Sequence, residues 1–277
     1  MTVRQDINVE AFSLNTPSGP RFGTVARPAG EPKGGRIYLH PFAEEMNKSR
    51  RMAALAAREL ASNGWLVLQL DFCGCGDSAG DFGDATWQGW LDDITQAWEW
   101  LRKECRGTIG IWTLRAGSLL ASDWLKSNNE HPPLLLWQPV RNGQQHLVQF
   151  LRLKAASEML NANAKGAVGR LRTELDEGHA VEVAGYTLSA ELATGLGRSR
   201  LQLPDNYPGE VAMLEIVTGE RHDPSPGIAA LVRGLQETAV AVSVETTSGP
   251  SFWQTLEIET APALLEATIS AAEDLAS

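Results

Sequence analysis

GTIGIWTLRAGSLLASDWLKS, residues 107–127, runs from a short apolar segment into a helix-patterned one with no loop between them. Its first half is rich in Ile, Trp and Thr and has the length of a buried strand. Its second half places Leu120, Trp124 and Leu125 at helical spacing. At the junction stand Arg115, Ala116 and Gly117. Small residues there permit a sharp turn, and a helix starting at such a turn aims its free N–H groups and positive dipole end over the strand end. A strand feeding directly into a helix is the building unit of a parallel sheet covered by helices.

The flanking sequence repeats the unit. RIYLH (36–40) is a short buried-strand candidate, SRRMAALAARELASNG (49–64) a helix capped by Ser49 and stopped by Asn63-Gly64, and WLVLQLDF (65–72) a continuous apolar run typical of an interior parallel strand. GCGDSAGDFGD (74–84) reads as a glycine-rich loop and TWQGWLDDITQAWEWLRKEC (86–105) as an amphipathic helix; PPLLLWQPV (132–140) supplies the next strand. Upstream, VEAFSL (9–14) and RFGTVA (21–26) alternate around the turn residues NTPSGP, predicting a hairpin. The alternation breaks over residues 142–205, with helix-like QQHLVQFLRLKAASEML and GAVGRLRTELDEG followed by VEVAGYTLSAELATGL, and resumes with EVAMLEIVTG, GIAALVRGLQE, AVAVSVET and APALLEATISAAEDL. The expected fold is α/β, a mostly parallel sheet with helices on both faces: a core of residues 1–141 and 206–277, with 142–205 inserted as a helical cap over the strand ends where ligands bind.

Composition removes several function classes. With 24 Lys plus Arg against 34 Asp plus Glu, the formal charge is −10, which repels phosphate backbones, so no nucleic acid is expected as a partner. No run reaches the ~18–20 apolar residues of a membrane span, and MTVRQDINVE has no apolar signal region, so the expected location is cytoplasmic. Three cysteines suit a reducing compartment. Cys73 and Cys75 form C-x-C with no histidine near in sequence, so neither a metal nor another cofactor is expected.

The junction after residues 107–114 corresponds to the nucleophile elbow, Gly-x-Ser-x-Gly, of α/β-hydrolases. Here it reads Thr113-Leu114-Arg115-Ala116-Gly117, with Arg115 at the nucleophile position. A guanidinium has no usable lone pair at neutral pH and acts neither as nucleophile nor as base. HPFAEEMNKSRR, LDFCGCGDSAGDFGD, WTLRAGSLLA, LLLWQPV, EVAGYTLS and GPSFWQT together resemble the exosortase A system-associated hydrolases of the hydrolase 2 type, over nearly the whole chain. The resemblance implies the α/β-hydrolase superfamily, a bacterial exosortase and exopolysaccharide setting, and an elbow carrying this same arginine. It also implies residue roles. His40-Pro41-Phe42 takes the place of the oxyanion-hole loop, with the amides of Phe42 and Ala116 as donors. Asp223, or His222 in the strict register, takes that of the acid. The histidine would fall in SGPSFWQ (248–254), where none is present.

Arg115 has two readings. It is a fixed cation for a carboxylate, phosphate or sulfate, or it pairs internally with Glu44 or Glu45. Glu44, Glu45, Cys75 and His222 are the candidates for activating water if the chain is catalytic, although Cys75 lacks a neighbouring base. Asn47, Lys48 and Arg51 read as a capping and surface cluster, Ser118 as a helix-packing residue, and His131, His146 and His179 as loop or cap residues. Trp137 and Trp253 flank strand ends beside the expected pocket, where they would stack on a ligand or pack under the cap. The expected partner is a small acyl or anionic molecule, with a homodimer as the assembly to consider. Two function classes follow: a hydrolase of esters, thioesters or related acyl compounds, and a non-catalytic protein that binds an anionic molecule or a protein partner through the same pocket.

Overall fold

The computed structural model describes residues 7–159, 166–219 and 223–276. Strands β1 (Asn8–Thr16) and β2 (Gly19–Arg27) form the expected hairpin, closing at Thr16 and Gly19. Next come β3 (Gly34–Leu39), α1 (Glu44–Ser62), β4 (Trp65–Leu70), α2 (Trp87–Glu104), β5 (Thr108–Leu114), α3 (Gly117–Ser127) and β6 (Leu134–Trp137). After the 142–205 segment the core continues through β9 (Val211–Val217), α7 (Pro226–Glu237), β10 (Val242–Ser248) and α8 (Pro262–Asp274). The eight core strands lie in the order β1-β2-β4-β3-β5-β6-β9-β10; β1–β2 and β2–β4 pair antiparallel, and the remaining pairs are parallel.

The continuous apolar strands divide their side chains between two cores, because successive residues point to opposite faces. Ile37, Leu39, Leu66, Leu68, Ile111, Leu134, Leu136 and Met213 pack with α2 and α3. Tyr38, Val67, Trp112, Leu114, Leu135, Trp137, Ala212 and Leu214 pack with α1 and α8. Each fully buried aliphatic or aromatic side chain contributes roughly 1.5–3 kcal/mol, so the central strands are the least mobile floor available to a site.

Two arginines are built into the sheet. Arg36 on β3 lies over the Trp65 ring at 3.5 Å and donates to the Ala272 carbonyl at 3.1 Å. Burial lowers its pKa to about 10. Arg21 on β2 pairs with Asp93 on α2 at 2.8 Å, with both side chains out of contact with water.

One helix boundary differs from expectation. α1 begins at Glu44 rather than at Ser49, whose hydroxyl instead donates to the Met46 carbonyl inside the helix. Glu44 and Glu45 occupy the first turn, where carboxylates favour the positive end of the helix dipole. This shift puts both glutamates on a rigid element, not a loop.

Between β6 and β9 the chain makes α4 (Gly143–Met159), α5 (Ala167–Asp176), a hairpin of β7 (Val181–Val183) and β8 (Tyr186–Leu188), and α6 (Ala190–Arg198). α4 packs on α5, α6 and β7; α6 also rests on α2, and β8 on the 3-10 turn at Phe82–Asp84. Among the described residues no helix is long and apolar enough to cross a membrane.

Candidate functional site

The turn between β5 and α3 is strained at one residue. Arg115 has φ +53°, a left-handed conformation uncommon for a residue with a Cβ. Its amide donates to Trp137 O at 3.0 Å, and its carbonyl accepts from Val140 N at 3.3 Å and Ser118 Oγ at 2.8 Å. Two bonds to the end of β6 and the segment after it, and two from Ser118, whose amide also donates to the Arg115 carbonyl at 3.1 Å, thus hold the strained residue in place. Gly117 is required by close approach: a Cβ there would stand 2.3 Å from the Leu39 carbonyl oxygen. The start of α3 is therefore seated directly on β3.

β3 and β5 pair in register at Leu39 and Thr113. Phe42 and Ala116 each lie three residues beyond that pair, on the two loops that leave the sheet side by side. Neither amide has a hydrogen-bond partner among the described residues. Such unpaired N–H groups beside a helix start are suited to an oxyanion or a carboxylate.

The Arg115 side chain enters a cleft of about 460 Å³ lined by Phe42, Glu45, His146, Phe150 and Trp253 among others. Its Nε and Nη2 both donate to Glu45 Oε1, at 3.2 Å each, and its guanidinium carbon lies 5.6 Å from the centre of the Trp253 ring. Nη1 has no partner among the described residues. Glu45 Oε2 is buried and makes no hydrogen bond; His146 Nε2 lies 3.9 Å away. Burial pushes the Glu45 carboxyl above the usual carboxylate range, and Arg115 pulls it back part of the way.

His146 is almost fully buried on α4, and its Nδ1 also lacks a partner. Burial, with help from Arg115, lowers its pKa to about 3, so its imidazole is neutral. At the cleft mouth Tyr186, from the hairpin, donates to Glu44 Oε2 at 3.3 Å and accepts from Asn47 at 2.7 Å. Lys48 lies 4.0 Å from Glu44 Oε1. Burial and the Glu44 carboxylate together raise the Tyr186 pKa to about 12.

The structure brings Phe42, Glu44, Glu45, Arg115 and Trp253 to one cleft. Other candidates lie elsewhere. His40 is buried and stacked on Phe72; its Nε2 accepts from the Phe72 amide at 3.4 Å and its Nδ1 faces the Pro41 carbonyl at 2.9 Å. Burial lowers its pKa to about 4, so it is a neutral core residue that shapes the loop from behind. Cys75 is not an exposed pocket-edge thiol: it is buried, and burial beside Asp71 pushes its pKa far up, against thiolate chemistry. Trp137 is not at the cleft either. It is sealed between the sheet and α8 with its Nε1 donating to Thr268 Oγ1 at 2.9 Å.

Asp223 is exposed between β9 and α7 and does not line the cleft. His222 lies outside the described residues. Ser118 Oγ bonds the Arg115 and Val140 carbonyls from a fully buried position, which removes it as a displaced nucleophile. In the segment where the histidine of a triad is expected, Phe252 is buried in the core and Trp253 turns to the cleft. Among the described residues, no group of three His, Cys, Asp or Glu is arranged to hold a metal.

Sequence reasoning placed Lys48 in a capping and surface cluster and His146 among loop or cap residues, giving neither a role in the site, and gave Tyr186 no role at all. A signal for His146 was present: residues 146, 149, 150 and 153 share one face of α4, and all four line the cleft.

No known family model matches the sequence, and no curated protein matches it either. Solved structures do resemble the fold. Est1E from Butyrivibrio proteoclasticus, with ferulic acid bound, superposes with a TM-score of 0.64 at 14% identity, covering 96% of this chain and 99% of its own. A highly thermostable carboxyl esterase from Bacillus coagulans gives 0.62 at 12% identity, covering 98% and 99%. An α/β serine hydrolase without lid from Xanthomonas campestris gives 0.56 at 17% identity, covering 96% and 94%. With the strand order and the strained β5–α3 turn, these likenesses identify the architecture as the α/β-hydrolase fold.

Proposed function

We propose that the cleft binds a small acyl compound through its anionic end and that the protein does not run acyl-enzyme chemistry. Arg115 carries this reading. The fold retains a strained elbow, yet the side chain it presents is a cleft-lining cation with one nitrogen unpartnered among the described residues. Strain of this type costs on the order of 1–3 kcal/mol, so its retention supports a role for the side chain. The amides of Phe42 and Ala116 offer further donors, and Phe42, Phe150, Leu153 and Trp253 offer an apolar wall for the ligand's body. Segment 142–205 acts as the cap, supplying His146, Phe150 and Leu153. The resemblance of HPFAEEMNKSRR and WTLRAGSLLA to exosortase-associated hydrolases supports a ligand from exopolysaccharide-linked acyl chemistry.

A hydrolytic reading is favoured by one observation. Glu45 Oε2 is unpaired and its carboxyl is raised in pKa, the condition of a general base for water attacking an ester or thioester. Octanoate decides for binding: it raises the melting temperature of the native protein, and Arg115→Ala removes the rise. Turnover of aryl esters or acyl thioesters that Glu45→Gln abolishes would replace the binding reading with the hydrolytic one.

A further inference from the structure

The charges around the cleft narrow the ligand class, an inference that rests on the binding reading above. Glu44, Glu45 and Lys48 come from α1, Arg115 from the elbow and His146 from α4; Trp253 and Gln254 from the C-terminal loop carry no charge. Behind them Tyr38 on β3 also senses Glu45, and Tyr186 from the hairpin faces Glu44. With His146 neutral, two cations meet two carboxylates, and the lining is formally uncharged. A ligand anion that engages Arg115 therefore adds a negative charge the cleft does not balance. It also shares the guanidinium that Glu45 alone now holds.

Two buried acceptors stand ready for the compensating proton. Glu45 Oε2 and His146 Nδ1 both lack a hydrogen-bond partner, and His146 Nε2 is 3.9 Å from the same carboxylate oxygen. Unsatisfied buried polar atoms are costly, so a state that fills them gains what the empty site lacks.

We infer that the cleft takes up a monocarboxylate together with one proton from solvent, the proton being held among the ligand carboxylate, Glu45 and His146. The ligand class is then a weak monocarboxylic acid with an apolar body, and phosphate or sulfate dianions are excluded by charge.

Calorimetric titration of octanoate into the native protein at pH 7 tests this. Run in phosphate and in Tris, whose ionisation heats differ, the titrations are expected to give binding heats that report uptake of about one proton per ligand. The dissociation constant is expected to rise about tenfold per pH unit above neutrality. Glu45→Gln, which keeps the shape and an acceptor for Arg115, is expected to bind octanoate without proton uptake and without that pH dependence. Binding that depends on Arg115 but gives equal heats in both buffers overturns the inference and leaves the binding reading standing. Inorganic phosphate displacing octanoate at pH 8 overturns it likewise. Octanoate that does not bind, or binds Arg115→Ala equally, overturns the binding reading and this inference with it.

Discussion

Among the described residues, two arginine–carboxylate pairs, Arg21–Asp93 and Arg115–Glu45, are largely buried and finished to different degrees. In the pair between β2 and α2, Arg21 Nε reaches both oxygens of Asp93 at 2.8 and 2.9 Å, while its other nitrogens donate to Ser18 and Gly19. Asp93 accepts the Cys73 amide as well, at 2.8 Å. In the pair at the elbow, Arg115 directs two nitrogens at one oxygen of Glu45 and leaves the other oxygen empty. The first pair is 0% and 2% exposed, the second 18% and 19%. A buried pair in which every nitrogen and oxygen has a partner holds elements together; one with a bare oxygen and an approach from solvent is arranged for something that arrives.

Removing one member of the finished pair is the harshest way to probe the contrast. Asp93→Ala leaves the Arg21 guanidinium buried without its counter-charge, and is expected to lower unfolding free energy by about 3–5 kcal/mol in urea titrations. A loss under ~1 kcal/mol would erase the distinction between the two pairs.

Acid probes the second region. His40 and His146 have folded pKa values of about 4 and about 3 against the ordinary 6.5, so the unfolded chain binds their protons first. Their stabilisation is fully present above pH 6.5 and is lost as pH falls through 6.5 toward 4 and 3. By pH 5 the expected loss is about 2 kcal/mol for each histidine. Glu45, with a raised folded pKa, works in the opposite sense, its protonated form being favoured by the fold. His146→Phe should flatten the acid limb measured by chemical denaturation between pH 7 and 5; an unchanged slope would mean that His146 takes a proton in the folded state.

The open pair should tolerate what the closed one does not. Glu45→Gln keeps an acceptor for Arg115, and is expected to change stability by no more than about 1 kcal/mol by thermal melting. The smallest effect belongs to the mouth of the cleft. Tyr186→Phe removes the bond to Glu44 at 3.3 Å and that from Asn47, and should cost about 0.5–1 kcal/mol in the same assay while leaving the Phe82 and Phe150 contacts in place.

Much of the fold was legible in one dimension because parallel strands buried on both faces announce themselves as unbroken apolar runs, and the elbow as a strand meeting a helix without a loop. The start of α1 was not, since EEMNK carries no apolar period and Ser49 offered a ready but unused cap. At the site, Arg115 stands out because its chemistry contradicts its position. Which glutamate would meet it, Glu44 or Glu45, was undecided until the helix phase was known. His146 on α4 lies about a hundred residues from Glu45 in sequence, and only tertiary packing brings them together. Cys75 looked exposed because glycine-rich loops usually are; this one folds inward, with Ser78 Oγ accepting from the Phe22 amide at 2.9 Å.

Gly117 constrains how such a protein changes over generations. With no room for a methyl group between it and the Leu39 carbonyl, the two loops that bound the cleft are welded at their base. Neither can drift without the other, so inheritance can alter what the turn displays far more easily than where it points. An arginine installed there inherits a ready-aimed mount, and a lineage can exchange one chemistry for another by a change of side chain while the scaffold stays still.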